Sequence, residues 1–94
     1  MPEMQFRIRW PDDSSMLCYS PSSSIREAFV LGHPYPLGEF VAKSRSALEY
    51  ASRRVAQKYG FGCAHAAVQI REIEAAAARF ARDPHATVTV ESFL

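Results

Sequence analysis

Cysteine and histidine are the side chains here best suited to chemistry near neutral pH, and two of them sit close together, Cys63 and His65. A thiol at the start of a helix is drawn toward thiolate by the helix dipole and the free amide groups, and a thiolate is a nucleophile. His65 sits two residues on, so the pair has the residue types of a reactive thiol. The same cysteine also suits a plain structural role, since free cysteine is most often a small buried hydrophobe. Cys18 has two readings as well. It shares one face of an alternating stretch with Met16 and Ser20, while Leu17 and Tyr19 share the other. If the first face is inward, Cys18 is packing. If the second is inward, its thiol lies outside near Arg7 or Arg9, whose charge favours the thiolate. The burial habit of cysteine favours the first arrangement.

Other chemistries have less behind them. Cys18, Cys63, His33, His65 and His85 are each isolated in sequence, without the paired spacing that seats two zinc ligands on one local turn, so no metal site is expected. Ser20, Ser22, Ser23 and Ser24 form a hydroxyl-rich turn without the strand-to-helix elbow of a serine nucleophile, and they read as capping and loop residues. The four glycines are scattered singly, so there is no phosphate-cradling loop, and no cofactor is expected.

These residues must be positioned by a small fold. A chain of 94 residues makes one domain, 1–94, and an apolar share of 48% with 12% aromatics is enough for a core without staples. Eleven basic against ten acidic side chains leave a net charge of +1, too little to steer nucleic acid or an anionic membrane. Arg45, Arg53, Arg54 and Lys58 are diluted by Glu39, Glu49, Glu72 and Glu74, which reads as solvated helix faces. The opening Met1-Pro2-Glu3-Met4 has no basic region followed by an apolar stretch, and no apolar run reaches 18 residues, so the expected location is cytoplasmic, with both thiols reduced.

Residues 4–10 alternate, with Met4, Phe6, Ile8 and Trp10 on one side and Gln5, Arg7 and Arg9 on the other, which predicts a half-buried strand. Pro11-Asp12-Asp13-Ser14 is turn chemistry, and Ser15–Ser20 returns as the second arm of a hairpin. From Leu37-Gly38 onward, Phe40, Val41, Ser44, Leu48, Ala51 and Val55 mark an amphipathic helix. Gly60 is its left-handed cap, and Phe61 is placed to fold back on Val55 or Ala56. A second helix is predicted from near Cys63 to about Arg82, with Ala66, Ile70, Ile73, Ala77 and Phe80 inward and Gln69, Glu72, Arg79 and Arg82 opposite. Asp83-Pro84-His85 stops it, and Ala86–Phe93 forms a last strand with Val88 and Val90 inward. The expected fold is therefore α+β, a two-layer sandwich of a three-stranded, mainly antiparallel sheet (β-β-loop-α-α-β) covered by two helices. The last strand is expected beside the first, which places Met4–Trp10 centrally.

Between Pro21 and Pro36 the sequence turns irregular, with three prolines, a glycine and a serine cluster, though Ser24–Phe29 suits a helical turn or two. Loops of such length in small domains are often functional. Tyr19, Ser20, Phe29, His33 and Tyr35 are the candidate binding residues, because rigid aromatics dock at low entropic cost. The competing reading makes the aromatics, with Phe40, anchors that hold the loop over the fold.

The whole pattern resembles a small bacterial family of nitrogen-starvation-response proteins of about this length. The carrying segments are 1–12, Cys18-Tyr19-Ser20-Pro21-Ser22, Tyr35-Pro36-Leu37 with Phe40, Lys58-Tyr59-Gly60-Phe61 with Cys63, 74–80, and Val88-Thr89-Val90-Glu91. Against that family pattern, Asp13 stands where glycine is expected in the hairpin turn, and Ala64 where serine is expected at the helix start. The resemblance brings no catalytic residues. It implies a setting beside a nitrilase, a radical-SAM protein, an acetyltransferase and a flavin-dependent oxidoreductase, a company linked to nitrile or cyanide nitrogen use. The functional expectation is a non-catalytic accessory module that binds a protein of the same pathway, or its own copy, through the Ser20–Tyr35 loop. The alternatives are a thiol-dependent enzyme or carrier using Cys63 or Cys18, and a small-molecule-binding sensor.

Overall fold

The computed structural model describes residues 3–60 and 64–94, so Cys63 and the fold-back of Phe61 lie outside the described residues. The first strand, β1, spans Met4–Arg9. Its alternation buries Phe6 and Ile8 completely, with Trp10 just beyond, and leaves Gln5, Arg7 and Arg9 exposed. Each such buried side chain contributes about 1.5–3 kcal/mol relative to exposure, which is what fixes the register. β2, Ser15–Ser20, pairs antiparallel with β1, Phe6 opposite Cys18 and Ile8 opposite Met16.

The connecting turn solves the missing-glycine problem with aspartates. Asp13 itself adopts a left-handed conformation (φ 68°), and its N–H reaches the Trp10 carbonyl at 2.9 Å. The Asp12 carboxylate accepts from both the amide and the hydroxyl of Ser14, which holds that carboxyl below the usual range with help from Arg79.

The helices α1, Leu37–Tyr59, and α2, Ala64–Ala78, lie on one face. In α1 the buried stripe is Phe40, Ser44, Leu48 and Ala51, and the helix ends as its sequence requires. Gly60 takes φ 87° and donates to the Ala56 carbonyl at 2.8 Å. No side chain caps the start of α1, but the Leu37 amide donates to the Ala86 carbonyl at 3.0 Å. Arg45 ties the two helices from outside, reaching Glu49 at 3.0 Å and Glu74 at 2.9 Å.

α2 stops at Ala78, short of Arg82, because the chain tightens into i+3 turns that close Phe80 on Ala77 and Asp83 on Phe80. This brings the Phe80 ring to 6.0 Å from Trp10 in a stacked arrangement. Gln69 is also misread by polarity alone. It is buried, because α2 overhangs the edge of β2, where the Gln69 Oε1 accepts the Tyr19 N–H at 2.9 Å.

The last strand, β4, spans Thr87–Phe93 and lies beside β1 as expected. Arg7 faces Ser92 while Ile8 faces Val90, so Glu91 is an extra residue, a bulge. The bulge resets the alternation, and Phe93 joins Val88 and Val90 toward the core. Among the described residues the sheet has four strands rather than three, in the order β2-β1-β4-β3. The additional strand, β3, is Pro34–Pro36, within the stretch expected to be irregular. Two of its three residues lack an N–H, which a sheet tolerates only at an edge. Upstream of it, Ser23–Glu27 forms a short 3-10 helix opened by the Ser22 hydroxyl, which accepts from the Ser24 amide at 3.2 Å.

Candidate binding surface

The buried side of the long loop is aromatic. Phe29 sits 5.3 Å from Phe40 and 6.5 Å from Phe6, ring centre to ring centre, and meets the Tyr35 ring edge-on at 5.5 Å. Phe29 and Tyr35 are both buried, as is Ser20, whose hydroxyl donates to the Ser22 carbonyl at 2.7 Å. Tyr35 reaches further, because its hydroxyl accepts the Val30 N–H at 2.8 Å. His33 lies edge-on to the same ring at 4.5 Å and is exposed, while the Lys43 ammonium stands 5.8 Å from its centre. Tyr19, half-buried on the β2 edge, meets the exposed His65 ring at 5.8 Å. Tyr19 and His65 thus form one pair, and Phe29, Tyr35 and His33 another group.

What these contacts hold in place is a turn. The His33 amide donates to the Val30 carbonyl at 3.3 Å, and the Gly32 amide to the Val90 carbonyl at 3.0 Å. Gly32 adopts φ 78°, the left-handed region where a side chain is strained, and space is not the issue, since an added Cβ meets nothing within 4 Å. At the tip, Val30 is 66% and Leu31 50% exposed. Sequence reasoning passed over these two. The available signal was a pair of adjacent aliphatics in a Pro- and Gly-rich stretch, matching neither a helical nor a strand period. Beside the turn, on the outer face of the sheet, a shallow hollow of about 420 Å³ is lined by Arg9, Gly32, Thr89 and Glu91. The Arg9 guanidinium holds the Glu91 carboxylate across it at 2.7 Å. An apolar centre with a charged rim is the usual anatomy of a protein-binding patch.

The thiol chemistry divides. Cys18 is buried on the inward face, and desolvation first, then the Glu72 carboxylate, push its thiol up to about 12. It carries no thiolate at neutral pH. Among the described residues, no group of three or more His, Cys, Asp and Glu side chains is placed to hold a metal ion. No described helix is long and apolar enough to cross a membrane.

Against this geometry, the family model of the nitrogen starvation-induced protein NitG matches residues 5–93. The chain belongs to that family. The match runs from β1 to the end of β4 and so takes in the hairpin, the pinned turn and both helices. No curated protein and no solved structure matches the chain.

Proposed function

We propose that this member of the NitG family is a non-catalytic accessory module of the nitrogen-starvation response, acting in the use of nitrile or cyanide nitrogen. It docks on a protein of the same pathway. The observation that carries the reading is the Val30–Leu31 tip, two exposed aliphatics on a turn already ordered by Tyr35, Val90 and its own backbone. Preordering matters because binding then spends little on loop entropy, and covering each of these side chains contributes about 1–2 kcal/mol. His33, Arg9 and Glu91 supply the polar rim.

The test uses the full chain as bait in nitrogen-starved cells, alongside Leu31→Asp. The expected result is one pathway protein retained by the parent chain and reduced at least about tenfold by the variant. Recovery of the chain alone, or equal recovery with both baits, overturns docking on a pathway protein. Sedimentation of the purified chain covers self-association, where a dimer dissolved by Leu31→Asp assigns the same surface to a second copy.

A further inference from the structure

A different part of the molecule carries a second, independent observation. The 3-10 helix and α1 enclose an open groove of about 460 Å³, within the size range of small-molecule sites. Its polar lining is Ser24 and Glu27 on one wall and Lys43, Ser46 and Tyr50 on the other, and Ala28, Ala42 and Ala47 supply the apolar surface. It runs into a smaller hollow of about 140 Å³ that shares Ser24, Glu27 and Tyr50 and adds Arg54. Glu27 and Lys43 line the same groove, yet neither forms an ion pair with the other or with any other described residue. On the wall common to both hollows, the Ser24 hydroxyl is buried without a hydrogen-bond partner among the described residues.

The Lys43 ammonium stands 5.8 Å from the Tyr35 ring centre, outside any ion pair, and opposite charges that line one groove without pairing are complementary to a molecule bearing both. A simple anion drawn by Lys43 would meet the Glu27 carboxylate, and a simple amine would meet the Lys43 ammonium. We infer that this groove binds a small zwitterion of the amino-acid class. Its ammonium pairs with Glu27, its carboxylate with Lys43, and its aliphatic side chain lies on Ala28, Ala42 and Ala47. The site is wide and wet, so the affinity belongs to the millimolar range, where a sensor of an abundant metabolite works.

The test is a titration of the full chain followed by the backbone amide signals of Ser24, Glu27, Ala47 and Tyr50. The probes are L-leucine, its deaminated analogue 4-methylpentanoate and its decarboxylated analogue isoamylamine. Leucine should shift these signals saturably, and each single-charge analogue should bind at least about tenfold more weakly. Glu27→Gln should weaken leucine by about the same factor and bring it level with 4-methylpentanoate, while Lys43→Met should bring it level with isoamylamine. Both positions are exposed, and unchanged thermal melts verify that the variants fold. Absence of saturable shifts, equal binding of a single-charge analogue by the parent chain, or unaltered leucine affinity in Glu27→Gln overturns the assignment. None of these outcomes bears on the Val30–Leu31 tip, which shares no residue with the groove.

Discussion

Asp13 is the residue most plainly at odds with its own backbone. Its left-handed conformation costs an L-residue of this type about 1 kcal/mol, moderated because aspartate tolerates that region better than most. Asp13→Gly removes the strain and adds unfolded-state entropy in part exchange, leaving a net stabilisation of about 0.5 kcal/mol. Thermal unfolding should show a rise of about 2–4 °C for a domain of this size. Cys18 makes a prediction of the opposite kind. Its thiol titrates near 9.0 when unfolded and near 12 in the fold. The folded state therefore holds a proton that the unfolded chain gives up above pH 9. The contribution of this thiol to stability is complete below that pH and is lost as pH rises toward 12. Denaturant midpoints at pH 8 and pH 10.5 should separate more in the parent chain than in Cys18→Ala, a comparison that removes the tyrosine and lysine titrations common to both. The inward face of Cys18 was one of two arrangements open in the sequence, because Met16/Cys18 and Leu17/Tyr19 are equally apolar pairs; packing against Phe6 decides between them.

At the scale of elements, legibility followed period length. β1 and α1 repeat their apolar spacing often enough to declare themselves, and Gly60 closes α1 by a backbone requirement that a single residue type meets. β3 has three residues, two of them prolines, so it offers neither a period nor a donor pattern, and its pairing is imposed by β4. Gln69 was hidden for another reason, since an amide side chain signals surface unless an edge strand needs its oxygen. Position 69 nonetheless stands three residues from Ala66 and four from Ile73, within the buried stripe. Gln69→Leu keeps the volume and removes the acceptor, which should cost about 1–3 kcal/mol for the orphaned Tyr19 amide, partly offset because the buried Nε2 also loses its unmet need. Hydrogen exchange provides a local readout. The Tyr19 amide should exchange at least about tenfold faster, with amides in the middle of α1 slowed or quickened only as much as global stability dictates.

For the molecule as a whole, the helices cover one face of the sheet and leave the outer face and the pinned turn to solvent. Leu31→Asp should accordingly shift the melting temperature by no more than about 2–4 °C, a change of about 0.5 kcal/mol or less, which separates its effect on docking from any effect on folding. Pro34 and Pro36 act on this same scale as chain terminators. The three residues of β3 carry a single N–H among them, too little to seed a ladder with an arriving strand. At the other margin, Gln69 already occupies the Tyr19 amide. The sheet is end-stopped on one side and partly stoppered on the other, so crowding presses side chains, not strands, against neighbours. Templated β-assembly is closed to this protein along the β3 margin.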